Sequence, residues 1–337
     1  RIASQCFLGT KGILGVAMRV MLTYVYLFVV FGAFLEMSGA TQFIIDFSNR
    51  VFGRTAGGPA KVAVLGSGLM GSLSGSAVAN AVTTGTFTIP MMRSAGFAPH
   101  ISGGITAAAA SGGALVPPVM GAGAYMMLEI IDPPVAGFMQ IVRAALVPAI
   151  LYYLSILLIV HFYARRLGAR KVDSQGMQTR RSLLQYEGIV FFSALAALIG
   201  FLYAGYTPFR SVTYALVVIF LLTVFSPNLE VKRFGRLLIA GVFLGAMLAA
   251  AAHRTGDDRT QLQDWSIWAN AAIPAMLTAL LAGLCLSDWR GKIMEAFLKS
   301  ARGGIALISA SGCVGIIMGV VSLTGVGTAF PNEIVPL

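Results

Sequence analysis

Charge is what this chain has least of. Of its 337 residues only 11% are Asp, Glu, Lys or Arg, while 57% are hydrophobic. A soluble domain carries about 25% charged residues, and the mean hydropathy here is +0.81. Several apolar stretches approach the roughly 20 residues needed to cross a bilayer. The shortage therefore excludes a soluble globular domain and predicts an all-α polytopic membrane protein with the lipid bilayer as its surroundings. Cysteine is equally scarce: Cys6, Cys285 and Cys313 stand apart and form no CxxC pair, which excludes a disulfide framework. His100, His161 and His253 are scattered without metal-ligand spacing. No HExxH, P-loop or GxSxG elbow occurs, so membrane hydrolase and ATPase chemistry has no constellation to stand on. The expectation is no enzyme and no cofactor.

Acidic residues are also few, 13 against 24 basic ones, giving a net charge of +11. The basic residues gather in short loops without interleaved aromatics, which marks topology rather than a nucleic-acid partner. Loop 164–186 carries Arg165, Arg166, Arg170, Lys171, Arg180 and Arg181. Loop 227–236 carries Lys232, Arg233 and Arg236, and segment 288–302 carries Arg290, Lys292, Lys299 and Arg302.

What is present is a series of apolar spans, at 20–37, 138–163, 187–206, 210–226, 235–252, 267–287 and 303–325. Residues 41–54 alternate Phe43, Ile44, Ile45, Phe47, Val51 and Phe52 with Asp46, Asn49 and Arg50, the pattern of a helix lying at the interface. Asp46 and Arg50, at i and i+4, read as a solvated pair.

Residues 66–90 are the anomaly, a run of Gly, Ser, Thr and Asn inside apolar sequence. As one straight helix, 59–92 would extend about 50 Å at 1.5 Å per residue, well past the ~30 Å hydrocarbon core. Arms at 59–73 and 77–92, each about 22 Å, instead predict a re-entrant hairpin with its tip at Ser74-Gly75-Ser76. Residues 101–130 read as one crossing broken in the middle. Helix at 101–110 gives way to Ser111-Gly112-Gly113-Ala114-Leu115-Val116-Pro117-Pro118 before helix resumes at Val119. Two consecutive prolines remove two amide donors and disfavour α conformation before them.

If each span after 138 crosses once, the basic loops share one side, which is cytoplasmic. Tracing back places both hairpin ends there too, with Arg50, Arg54 and Lys61 at one and Arg93 and His100 at the other. Arg19 and Arg143 fall on the opposite side.

Polar backbone at bilayer depth is tolerated only where protein buries it or it lines a cavity. Gly71 and Gly75, four apart, also suit close helix packing, but that reading leaves Asn80, Thr83 and Thr84 unexplained. Ser, Thr, Asn and carbonyl oxygens suit a hard monovalent cation, and half-helix N-termini suit a carboxylate. The break at Ser111-Gly112-Gly113 would supply a facing wall. Glu36 and Glu129 are weaker candidates, as carboxylates near span ends.

A faint internal echo pairs Val30-Phe31-Gly32-Ala33-Phe34-Leu35-Glu36-Met37-Ser38-Gly39 with Ile317-Met318-Gly319-Val320-Val321-Ser322-Leu323-Thr324-Gly325. As a repeat, it would place a second hairpin and broken helix past Leu337. The first residue, Arg1, is not Met, and the expectation is a piece cut from a longer protein.

Several motifs carry a resemblance. Gly57-Gly58-Pro59-Ala60-Lys61-Val62-Ala63-Val64, the run 72–80, Val82-Thr83-Thr84-Gly85 and Phe87-Thr88-Ile89-Pro90-Met91-Met92 resemble the large membrane subunit of TRAP transporters. So do Ala108-Ala109-Ala110-Ser111-Gly112-Gly113 and Pro117-Pro118-Val119-Met120-Gly121-Ala122. The likeness is densest over 20–130, returns at 303–330, and is nearest to fused permeases that work with TAXI-type binding proteins. It implies a sodium-driven secondary importer of organic acids, such as C4-dicarboxylates, 2-oxoglutarate or glutamate-like substrates, in a bacterial or archaeal inner membrane. A periplasmic TAXI-type binding protein would deliver the substrate to an elevator-type, inverted-repeat permease.

Carried over by position, the resemblance implies sodium binding by Ser74, Gly75, Ser76, Asn80, Ser111, Gly112 and Gly113. It implies a substrate bordered by Ser76, Thr83, Thr84, Pro117 and Pro118, with sodium the only metal. The matching organisation is a scaffold span and interfacial helix at 1–54, a transport hairpin and broken helix at 55–135, scaffold and connecting helices at 136–302, and the start of a second repeat at 303–337. The upstream small-subunit helices and the second hairpin of the family lie outside this pattern. Two alternatives stay open: a divalent-anion/sodium symporter needing no binding protein, and a non-transporting membrane subunit.

Overall fold

The computed structural model describes residues 7, 12–121, 123, 124, 127, 138–168, 186–225, 233–255 and 265–325, and these form helices joined by turns, with no strand among them. The chain opens with α1 (Val16–Val20), a π-helical turn (Met21–Val25) and α2 (Tyr26–Met37) in one apolar rod. The helices α3 (Ala40–Phe52), α4 (Gly58–Ser74), α5 (Ala77–Ser94) and α6 (Pro99–Gly112) follow, and a 3₁₀ turn (Gly113–Leu115) ends α6. Then come α7 (Phe138–Leu167), α8 (Tyr186–Tyr203), α9 (Pro208–Val224), α10 (Arg233–Thr255), α11 (Trp265–Cys285) and α12 (Ser287–Thr324). Among the described residues, five segments are long and apolar enough to cross a membrane: Ala17–Met37, Phe138–Leu167, Tyr186–Tyr203, Ile267–Cys285 and Trp289–Thr324.

The boundaries follow local chemistry. Pro99 and Pro208 each sit in a first helical turn, where a missing N–H costs nothing. The arms of the hairpin end and begin where expected, at Ser74 and Ala77. Gly75 closes α4 in the left-handed region at φ 58°. Ser76 then caps α5, its Oγ accepting from the Ala79 amide at 3.3 Å.

Two apolar cores result. One gathers Ala60, Ala63, Val64, Met92, Phe97, Ala109, Ile156 and Val160, and so binds the hairpin to α6 and α7. The larger one joins α2, α3, α8, α9, α10, α11 and α12 and takes in Met70, Leu73, Val119 and Met120 from the hairpin tip and the chain after the break. The apolar side of α3 faces protein: Phe43 is buried and packs against the rings of Phe191 and Phe192.

Contacts fix the course of the hairpin. A Cβ at Gly57 would lie 2.3 Å from the Ala164 Cβ, and the Phe97 and Tyr163 rings are 6.0 Å apart. Entry and exit of the hairpin thus meet the same end of α7, and the hairpin turns back rather than passing through.

α12 differs from expectation. The basic stretch 288–302 is not a loop: it forms the first turns of one 38-residue helix, and the boundary placed at 302/303 falls inside that helix. Trp289, Ile293 and Ala296 are buried along one side, so its charges belong to the outer face of an amphipathic helix. Gly303 and Gly304 do not break it, because they sit against Val29 and the Tyr26 ring. α12 runs antiparallel to the first rod, with Lys299 paired to Glu36 at one end and Ser311 meeting Met18 at the other.

Helix also does not resume at Val119, which lies in a turn. Met120 has a positive φ of 52°, which a helix cannot accommodate. Residues 128–130, with Glu129, lie outside the described residues, as do Arg170, Lys171, Arg180, Arg181 and Lys232.

Candidate functional site

The hairpin tip is made by two opposed helix ends. α4 finishes at Ser74, so its last carbonyls have no partner within the helix, and α5 starts at Ala77 with first-turn amides that likewise lack one, that of Ala79 being capped by Ser76. A partial negative end and a partial positive end therefore meet across Gly75-Ser76. The Ser76 amide also donates to Ser74 Oγ at 3.4 Å.

Against this tip lies the broken end of α6. A Cβ at Gly71 would sit 2.2 Å from the Gly113 Cα, and one at Gly113 would sit 2.8 Å from Asn80 Nδ2. Only glycine at both positions lets the two backbones touch. The chain beyond the break closes over the tip: the Met120 carbonyl oxygen would lie 2.0 Å from a Cβ at Gly75. Gly75, being both left-handed and without space for a side chain, is fixed as glycine twice over.

Asn80 is the polar centre. It is 1% exposed, and its Nδ2 donates to the Ser67 carbonyl across the hairpin at 2.8 Å. Its Oδ1 is buried with no hydrogen-bond partner among the described residues. A buried, unpaired amide oxygen costs on the order of 1–3 kcal/mol.

The structure brings Gly75, Ser76, Asn80 and Gly113 together, with Ser74 Oγ beside the Ser76 amide. The remaining candidates sit differently. Thr84 is buried within the hairpin, donating to the Asn80 carbonyl at 2.7 Å and lying 3.1 Å from Ser67 Oγ. Thr83 is half-buried. The Ser111 side chain is exposed, its hydroxyl turned back to the Ala107 carbonyl. Gly112 faces α7, where an added Cβ would strike the Tyr152 ring at 2.3 Å. Pro117 and Pro118 lead into the segment that covers Gly75, Pro118 buried and Pro117 half-buried.

Sequence reasoning missed two tyrosines. Tyr152 and Tyr153 of α7 donate to the Ala108 and Ala109 carbonyls at 2.7 and 2.8 Å, carbonyls near the end of α6, where the break takes away intrahelical donors. Tyr153 also packs on Gly68 of the hairpin. The signal was a pair of hydroxyls in mid-span of an aliphatic helix. From Tyr153 to Arg165 is roughly 18 Å of helix.

A helical hairpin whose tip meets the broken end of a neighbouring helix is an arrangement found in membrane transport proteins, where broken helices hold ions and substrates. The particular family follows from comparison. A model of the DctM component of tripartite ATP-independent periplasmic (TRAP) transporters matches residues 3–337, and the chain belongs to that family. It is 26% identical over 232 residues to the C4-dicarboxylate TRAP transporter large permease protein DctM of Rhodobacter capsulatus, covering 66% of this chain and 52% of that protein. To the sialic acid TRAP transporter large permease protein SiaM of Vibrio cholerae it is 26% identical over 224 residues, 66% and 51% of the two chains. To the 2,3-diketo-L-gulonate TRAP transporter large permease protein YiaN of Escherichia coli it is 37% identical over 90 residues, 27% and 20%. The chain spans about half the length of the first two relatives. The chain thus belongs to a family of multi-pass inner-membrane transport proteins, and five segments among its described residues are long and apolar enough to cross a membrane.

Proposed function

We propose that the protein is the permease of a sodium-coupled TRAP transporter that takes organic acids from a periplasmic binding protein. The observation that carries this is Asn80, whose Oδ1 is buried and unpartnered among the described residues and whose Nδ2 lies where the hairpin meets the break at Gly113. An amide oxygen and the unpaired carbonyls at a helix end are donors of the kind a hard monovalent cation takes, and the α5 N-terminus suits a carboxylate. Sodium would neutralise the carbonyl ends while the substrate carboxylate meets the amide end. The acids named for the relatives are carboxylates, in keeping with that chemistry. C4-dicarboxylates, 2-oxoglutarate and glutamate-like acids are the first candidates.

The hairpin, α6 and α7 share a core of their own, while the hairpin tip and the start of α7 also pack into the larger core. The echoed segments end α2 and α12, which run antiparallel, and both close on a left-handed glycine, Gly39 at φ 95° and Gly325 at φ 71°. Opposite directions are what an inverted repeat requires. The motif wording favours a TAXI-type binding protein as partner. The roots of the hairpin, with Arg54, Arg93, Arg165 and Arg166, would face the cytoplasm.

Uptake into liposomes holding the intact permease, with its binding protein added outside, tests the reading. Accumulation of a labelled acid should require an inward sodium gradient. Equal uptake with sodium replaced by potassium would refute sodium coupling.

A further inference from the structure

The cations at the hairpin's roots lie on three segments that meet. Arg54 at the entry, Arg93 and His100 at the exit, and Arg165 and Arg166 at the end of α7 are all exposed. The approach of Gly57 to Ala164 and the Phe97–Tyr163 contact hold these three segments at one rim. Among the described residues no carboxylate pairs with any of the five.

The surface beside this rim is apolar. Leu158, Ile159 and Phe162 are 48%, 67% and 63% exposed, and their spacing puts them on the same face of α7 as Arg165 and Arg166. From Ile159 to Arg166 is roughly 10 Å along the helix, so the face changes from aliphatic to cationic over the depth at which acyl chains give way to headgroups. Guanidinium groups match phosphate oxygens in two-point geometry. A free anion would use the arginines alone and leave the apolar strip unexplained.

We propose that this rim binds an anionic phospholipid, its phosphate on Arg165, Arg166 and the root arginines and its acyl chains along Leu158, Ile159 and Phe162. The bound lipid would clamp both roots of the hairpin to α7. The proposal stands on charge and shape at the rim and is independent of the sodium site.

The test is lipid retention and thermal stability of the purified permease in detergent. Added phosphatidylglycerol, phosphatidylcholine and inorganic phosphate are compared by native mass spectrometry and melting temperature. Phosphatidylglycerol should be retained about tenfold more than phosphatidylcholine and should raise the melting temperature, while inorganic phosphate at equal concentration should not. Arg165→Gln with Arg166→Gln should remove that preference without altering the lipid-free melting temperature, and Arg165→Lys with Arg166→Lys should keep most of it. Arg54→Gln and Arg93→Gln singly repeat the measurement should the double variant fail to purify. Equal retention of the two lipids, a preference untouched by the glutamine variants, or stabilisation by inorganic phosphate alone would each overturn the proposal.

Discussion

Asn80 and Ser67 are joined across the hairpin, side-chain amide to backbone carbonyl, at 2.8 Å. The same nitrogen faces Gly113, where a built Cβ would come within 2.8 Å of Nδ2, and Oδ1 is left buried without a hydrogen-bond partner among the described residues. Thr84 continues the network by donating to the Asn80 carbonyl. A residue expected only as an oxygen donor is therefore also the tie between the two arms. Its substitution should affect stability and ion response together.

The contact between Gly71 and Gly113 has no room for a methyl group on either side. Gly71→Ala should cost on the order of 1–3 kcal/mol, the usual range for overpacking, and should lower the melting temperature measurably. Gly103→Ala is the control, because nothing lies within 4 Å of its added Cβ. Equal melting temperatures for the two variants would contradict the close approach of hairpin and break.

Tyr153→Phe removes the hydroxyl that donates to the Ala109 carbonyl and keeps the ring on Gly68. The stability loss should be about 1 kcal/mol, the net worth of one hydrogen bond. If the tyrosine positions the broken end of α6, the sodium concentration for half-maximal uptake should rise several-fold with little change in maximal rate. An unchanged sodium midpoint would make Tyr153 a packing residue only.

Both roots of the hairpin meet one end of α7, at Ala164 and Tyr163. In a cysteine-free background, Arg54→Cys and Ser94→Cys should react with a membrane-impermeant thiol reagent from the cytoplasmic side alone. Labelling of the two positions from opposite sides would show that the segment crosses the membrane.

Much of this architecture was legible in the sequence, because bilayer thickness converts length into topology. Arms too short to span and too long to join as one helix predict a hairpin, and the structure places its tip at Gly75-Ser76 between Ser74 and Ala77. Glycine, serine and consecutive prolines likewise announce the break after Gly112. What escaped depends on direction rather than composition. Ser111 is two residues from Gly113, yet a helix turns by about 100° per residue, so its hydroxyl is exposed and bonds the Ala107 carbonyl instead of the hairpin. Tyr152 and Tyr153 lie far along the chain from the carbonyls they cap, and only folding pairs them. The amphipathic start of α12 imitated a loop, because its buried Trp289, Ile293 and Ala296 are spread among charges.

The most direct test of the central claim is the thermal stability of the purified permease titrated with sodium chloride against potassium chloride at constant ionic strength. A ligand that binds only the native state raises stability by mass action. The account predicts a sodium-specific rise in the wild-type protein that Asn80→Ala abolishes, while Thr86→Ala, altering an exposed hydroxyl on the outer face of α5, retains it. Identical curves in sodium and potassium, or a sodium response that survives in a folded Asn80→Ala protein, would contradict it.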